Sequence, residues 1–342
     1  MISAHLPILI TLSIVLIASA ALSALLIVVL KPLLIRYALA RPNARSSHKV
    51  PTPQGGGIAI IVATVIVLIA VAAALGASSS TFAILATSTI VLAFVGAIDD
   101  IRPLPAGPRL ALQVIAVAAV VLTSDARVFP DAIPLGLERA FLILAGVWFV
   151  NLVNFMDGLD WITVAEMVPI TAFLALLGVF GPLSPLAALA AAALCGALLG
   201  FAPFNKPVAR LFMGDVGSLP IGLLVGWLLL QLAGTGALAA AILLPLYHLM
   251  DATITLLRRL ARREKVWEAH RSHFYQRATD NGFSALSVSG HVFALNIMLG
   301  GLAAVTIIWP SALAQAASLV AGVALVSLLL RHFSTRRPEV SR

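Results

Sequence analysis

The chain has 342 residues; 61% are hydrophobic, 11% are charged and the net charge is +8. A soluble domain carries about 25% charged residues, so this composition excludes a soluble globular enzyme and a disordered chain. Cys195 is the sole cysteine, which excludes a disulfide scaffold. No basic soluble module is present, so the positive charge points to membrane topology and anionic lipid rather than to nucleic acid.

Charge-free runs, broken by turn residues, give eleven predicted membrane spans: about 6–30, 57–76, 81–98, 109–124, 140–156, 162–180, 185–204, 218–233, 237–255, 285–308 and 312–330. The first lacks a basic leader and is followed by a basic loop, so it reads as a retained anchor. If the N-terminus is periplasmic and the C-terminus cytoplasmic, 20 of the 22 Lys and Arg residues fall inside, leaving Arg127 and Arg139 outside. The expected fold is therefore an all-α polytopic integral membrane protein. Residues 1–342 form a single membrane-embedded domain whose longer loops face the cytoplasm.

In chain order, the first motif is Lys49 to Gly57, where Gly55, Gly56 and Gly57 open the second span. Glycine permits close backbone approach, and a helix N-terminus favours an anion. Asp99 and Asp100 end the third span, with Pro103 stopping the helix. Asn151, Asn154 and Asp157 are spaced i, i+3, i+6 at the end of the fifth span, and Asp160 follows. Asp215 lies between Gly214 and Gly217, and Ser218 stands where an N-cap of the eighth span is expected.

Five aspartates from three stretches thus share the cytoplasmic face. Clustered carboxylates repel each other beside hydrocarbon, and oxygen-only ligands suit Mg²⁺, with Mn²⁺ the alternative. A basic loop supplies His270, Arg271, His273 and Arg277. It reads either as a solvated interfacial helix or as a cationic cover over a phosphorylated substrate. Glu166 and Asp251 lie deeper; Asp251 is placed to join the site, and Glu166 reads as an interhelical pairing residue.

These motifs resemble the polyprenyl-phosphate N-acetylhexosamine-1-phosphate transferases, glycosyltransferase family 4, over Lys49 to Arg277. Asp99-Asp100 is similar to that family's paired aspartates, Asn151 to Asp160 to its Asn-x-x-Asn-x-x-Asp-Gly-x-Asp motif, Phe212 to Ser218 to its Phe-Met-Gly-Asp-x-Gly-Ser motif, and His270 to Arg277 to its histidine loop. The resemblance implies transfer of an N-acetylhexosamine-1-phosphate from a UDP-sugar to undecaprenyl phosphate in the bacterial inner membrane, with release of UMP. It implies Asp99, Asp100 and Asp215 as catalytic residues, Asp99 being the base and Asp215 and Asp100 the Mg²⁺ ligands. Lys49, Asn151, Asn154, Asp157, Asp160, His270, Arg271, His273 and Arg277 would bind substrate, and a homodimer is an assembly it allows. Two departures stand out. Trp161 replaces the glycine that often follows Asp160, and the His-Arg-Ser-His loop is more similar to the branch that initiates O-antigen with a 6-deoxy sugar such as FucNAc or QuiNAc than to the GlcNAc branch. A transporter or flippase of a lipid-linked substrate is the alternative, though its polar residues would gather near the midplane rather than at one face.

Overall fold

The computed structural model describes residues 2–40, 51–74, 80–265 and 270–337. Lys49 lies outside the described residues. Among the described residues the fold is helical, apart from one antiparallel two-residue pair, β1 (Leu39–Ala40) and β2 (Thr52–Pro53), and an isolated parallel bridge between Gln54 and Phe212. The helices are α1 (Ile2–Tyr37), α2 (Gly57–Ala74), α3 (Ser80–Ile101), α4 (Ala106–Leu122), α5 (Leu135–Met156), α6 (Ile162–Phe180), α7 (Pro185–Asn205), α8 (Asp215–Gly234), α9 (Leu238–Leu243), α10 (Leu246–Ala261), α11 (Phe274–Asp280), α12 (Ala285–Ile308) and α13 (Ala312–Ser334). Among the described residues nine of these are long and apolar enough to cross a membrane, and α4 is a shorter apolar helix. The chain is an all-α multi-pass membrane protein.

Ten of the eleven predicted spans coincide with single helices. The exception is 237–255, which is broken into α9 and α10. Pro245 stands at the break; it has no N–H to donate, and its ring clashes with the carbonyl four residues back. Where a polar cap begins a helix it does so at the expected residue type. Ser184, Ser284 and Ser311 accept from Ala187, Ser287 and Ala314 N–H at 3.3, 3.2 and 3.2 Å.

α6, α7 and α8 are the most deeply buried spans. The alanine-rich face of α7 lets α1 approach closely. A Cβ at Gly196 would lie 2.1 Å from the Leu16 carbonyl oxygen, and one at Gly200 would lie 2.3 Å from that of Ala20. Small residues serve this purpose where lipid gives helices no hydrophobic reason to associate. The glycines opening α2 do the same. A Cβ at Gly57 would lie 2.2 Å from the Gly217 Cα, so α2 and α8 touch backbone to backbone at their first turns. Gly56 and Gly57 N–H donate to the Phe212 and Met213 carbonyls at 2.9 Å each. Two sequence motifs are thereby joined main chain to main chain. This corrects the expectation that Gly56 and Gly57 leave open backbone for an anion: their N–H groups are already paired.

Candidate active site

The C-terminal end of α3 and the N-terminal end of α8 meet through Asp100. Its Oδ1 accepts the Asp215 N–H at 2.9 Å and its Oδ2 accepts the Val216 N–H at 3.1 Å. A helix N-terminus has unpaired N–H groups and a positive dipole end, so a carboxylate there is favoured. The N-cap position is Gly214, at φ 78°, which offers no side chain. Ser218 is therefore not the cap; it lies inside the helix and receives a hydrogen bond from Asn154 at 2.9 Å. A Cβ at Gly214 would lie 2.5 Å from the Asp100 Oδ2, so glycine is needed for both its dihedral and its space.

Asp99 faces the opposite way. Its Oδ1 accepts the Leu104 N–H at 2.6 Å, and Arg109, on the first turn of α4, reaches its Oδ2 at 2.7 Å. The same guanidinium lies 3.6 Å from the Asp215 Oδ2. Asn154, from the end of α5, donates to the Asp215 Oδ1 at 2.8 Å. Three helix ends thus place Asp99, Asp215 and Arg109 together, with Asn154 fixing the Asp215 carboxylate.

Asp157 caps the end of α5 and accepts from the Thr163 hydroxyl. Burial pushes its carboxyl up to about 7, the nearby Asp100 charge adding to the rise and the Thr163 hydrogen bond opposing it. Asn151 points to α4, donating to Gln113 at 2.7 Å and to the Val147 carbonyl at 2.8 Å. Asp160 is buried and accepts the Ala209 N–H at 2.9 Å. Of the predicted Asn–Asn–Asp stripe, Asn154 reaches the Asp215 carboxylate and Asp157 lies beside Asp100, while Asn151 ties α4 to α5 and Asp160 holds the 206–210 turn.

Trp161 sits at φ 64°, in the left-handed region that glycine adopts freely. Two hydrogen bonds hold it there: its N–H to the Asn205 Oδ1 at 2.8 Å, and its indole N–H to the Ala202 carbonyl at 2.6 Å. Where glycine often follows Asp160 in the resembling motif, this chain holds a left-handed backbone with a side-chain anchor to α7.

The histidine loop is built on Asp251 of α10, which is fully buried. Its Oδ1 accepts the Phe274 N–H at 3.0 Å and lies 3.2 Å from the His273 Nδ1. Its Oδ2 accepts the Tyr275 N–H at 3.2 Å. Asp251 therefore caps α11 as Asp100 caps α8. His270 and His273 rings lie 4.8 Å apart between centroids, and the His270 Nδ1 is 2.8 Å from the Ser272 hydroxyl. Arg271 contacts Asp280 at 3.1 Å and Thr279 at 3.1 Å, bracing α11 along its length. Arg277 is exposed, with its guanidinium 5.9 Å from the Phe274 ring centroid.

Arg109 is the residue the motif reading missed. It is one of the 20 basic residues counted on the cytoplasmic side, at the start of the fourth predicted span, and nothing local distinguishes it from Arg102; its role depends on α4 folding back against α3. Glu166 pairs with His248 at 3.0 Å and accepts from Asn296, as an interhelical pairing residue would.

Asp99 and Asp215 share the Arg109 guanidinium, and Asp100 and Asp157 add two further carboxyl groups at the neighbouring helix ends, so the site is rich in oxygen donors. That donor chemistry fits a hard divalent cation. Among the described residues no three His, Cys, Asp or Glu side chains form a ready metal cluster.

The helical membrane fold and its acidic site at converging helix ends define a polytopic membrane protein with a polar centre at one end of the bundle. The sequence profile of glycosyl transferase family 4 matches residues 81–233, which include the paired aspartates, the Asn–Asn–Asp stripe and Asp215. A decaprenyl-phosphate N-acetylglucosaminephosphotransferase of Mycobacterium tuberculosis is 28% identical, the match covering 86% of this chain and 83% of the relative. A probable undecaprenyl-phosphate N-acetylglucosaminyl 1-phosphate transferase of Bacillus subtilis is 24% identical over 81% of this chain and 82% of its own. A phospho-N-acetylmuramoyl-pentapeptide-transferase of Streptococcus pyogenes is 30% identical over 51% of this chain and 57% of its own. Over residues 81–233, a little under half of its length, the chain is similar to glycosyl transferase family 4.

Proposed function

We propose that the protein transfers an N-acetylhexosamine-1-phosphate from a UDP-sugar to undecaprenyl phosphate, initiating a cell-envelope glycan at the cytoplasmic face of a bacterial inner membrane. An oxygen of the lipid phosphate attacks the β-phosphorus of the donor. The bond from that phosphorus to the bridging oxygen breaks, UMP leaves, and the product is a lipid-linked sugar diphosphate. The observation that carries this reading is the grouping of Asp99, Asp215 and Arg109 at ion-pair distances where α3, α4 and α8 meet. Phosphoryl transfer asks for positioning and charge neutralisation rather than covalent help.

Asp215 and Asp100 are the residues that would hold Mg²⁺ or Mn²⁺, and the cation supplies neutralisation of the donor diphosphate and of the leaving UMP. Both Asp100 oxygens accept a backbone N–H fixed by the helix, whereas the partners of the Asp215 carboxylate are side chains, Asn154 and Arg109, which can turn aside for a cation. Arg109 offers a guanidinium to a phosphate oxygen while restraining Asp99. Asp99 is the base in this reading, and the demand on it is small because the second pKa of a phosphate monoester is about 6. Asn154 orients Asp215. Asp157, with Asp160 behind it, shapes the nucleotide side. His270, His273, Arg271 and Arg277 contribute positive charge and N–H donors toward the donor's phosphates. The His-Arg-Ser-His sequence favours a 6-deoxy donor such as UDP-FucNAc or UDP-QuiNAc, with UDP-GlcNAc the other arm.

The test is UMP release by purified protein given undecaprenyl phosphate, Mg²⁺ and one UDP-sugar at a time. Turnover that is lost in Asp215→Asn and with EDTA is expected. An intact protein that turns over no donor would overturn the reading and favour transport of a lipid-linked substrate.

A further inference from the structure

Glu166 is a fully buried carboxylate on α6, outside the group of residues assigned to the reaction. Its Oε1 accepts the His248 N–H at 3.3 Å and lies 3.0 Å from the His248 Nδ1. His248 belongs to the first turn of α10, just past the break at Pro245, where helical N–H groups have no partner within the helix. Asn296 of α12 donates to the other Glu166 oxygen. Glu166 thus caps α10 from α6, and Asn296 holds it in place.

One turn further along α10 stands Asp251, which caps α11 and faces His273. Tyr275 of α11 then donates from its hydroxyl to the Phe155 carbonyl at 3.1 Å. The contacts form a closed circuit. They leave the 155–166 stretch at Glu166, pass through α10 and α11, and return to the same stretch beside Asp157.

We propose that Glu166 is a positioning residue for the histidine loop. By capping α10 it sets the position of Asp251, and hence of His273 and of Tyr275, whose hydroxyl meets Phe155 and Gly158 beside Asp157. The catalytic consequence rests on the transferase reading above; the structural one does not.

Hydrogen–deuterium exchange and steady-state kinetics on the full-length protein in detergent test this together. In Glu166→Ala the amides of Phe274 and Tyr275 exchange faster, while those of Asp215 and Val216, capped by Asp100, do not. The donor KM rises about tenfold, with kcat and the undecaprenyl phosphate KM changed by less than about threefold, the split expected when donor binding alone is loosened. Glu166→Gln, which keeps an acceptor for the His248 N–H, stays within about threefold of wild type in all three constants. Should the alanine variant fail to fold, Asn296→Leu leaves Glu166 in place but free to turn, and gives a smaller shift of the same sign.

Glu138 is the control. It is also fully buried and accepts backbone N–H groups, those of Val128 and Phe129, but it lies roughly 28 Å along α5 from Asp157. Glu138→Gln lowers the melting temperature without moving the donor KM. The proposal is overturned if exchange at 274–275 is unchanged, if it rises equally at 215–216, or if Glu138→Gln reproduces the KM shift. If wild-type protein turns over no donor, the transferase reading fails on its own, and the exchange result alone decides whether Glu166 positions the loop.

Discussion

The Tyr275 hydroxyl occupies the space that a side chain at residue 158 would need: a Cβ on Gly158 would lie 2.1 Å from that oxygen. Gly158 belongs to the Asn-x-x-Asn-x-x-Asp-Gly motif and Tyr275 to the histidine loop, so this contact docks one motif on the other. Gly158→Ala is expected to displace α11, lowering kcat/KM by at least about tenfold and stability by about 2 kcal/mol. Tyr275→Phe removes the clashing oxygen, and the double variant should recover part of both losses. A double-mutant cycle in kinetics and thermal unfolding gives a coupling above about 1 kcal/mol if the contact is the cause, and none if the two positions act separately.

Asp100 and Asp215 should separate in their effects. Asp100→Asn keeps one acceptor for the N-terminus of α8 and loses the other, at a cost of about 1 kcal/mol that persists without any divalent cation. Asp215→Asn keeps an oxygen for the Asn154 amide. It should unfold within about 0.5 kcal/mol of wild type while abolishing UMP release. Melting curves recorded in EDTA check both halves.

Arg109 is expected to matter through charge and shape together. Arg109→Met leaves Asp99 and Asp215 without their cation and should reduce kcat/KM by about a hundredfold. Arg109→Lys restores the charge but cannot reach both carboxylates as a fork, and should recover only part of that loss. Initial rates across an ionic-strength series would show whether charge alone suffices.

The Asp157 carboxyl, pushed up to about 7, gives a pH prediction. The folded protein holds this proton more tightly than the unfolded chain, whose carboxyl has its ordinary value of 3.8. Between those two values a rise in pH therefore weakens the cation-free fold. A divalent cation bound nearby favours the ionised form, so binding near pH 7 should release a proton and weaken as the pH falls below about 7. Calorimetry of Mg²⁺ binding in buffers of different ionisation enthalpy measures that release; its absence would place the cation away from Asp157.

At Trp161 a glycine should be at least as good as an alanine. Trp161→Ala keeps a strained φ of 64° and loses the indole bond to Ala202, at about 2 kcal/mol. Trp161→Gly loses the same bond but relieves the strain, so its melting temperature should match or exceed that of the alanine variant.

Much of the fold was legible because lipid imposes a simple condition. Backbone polar groups must be satisfied within each segment, so long apolar runs become helices with ends set by Pro, Gly and Ser. The residues of the acidic site were legible because charges are rare in such a chain and collect at helix ends. The break at Pro245 was hidden by an unbroken apolar run. Its cost is offset by Glu166, which is 79 residues earlier in the chain and points to no partner when read locally.

Local composition therefore specified the helices, their approximate limits and the chemistry collected at their ends. Partnership was settled by packing. Ser218 was the expected cap of α8, yet Asp100 of α3 fills that role; the glycines at 56 and 57 were read as open backbone, yet α2 uses them to lie against α8; Arg109 looked like a topology charge, yet it bridges Asp99 and Asp215. Hydropathy and helix capping act over a few residues and can be read along the chain. Asp100 reaches the start of α8 across 115 residues of chain and Glu166 reaches that of α10 across 82, and such contacts exist only once the helices have packed.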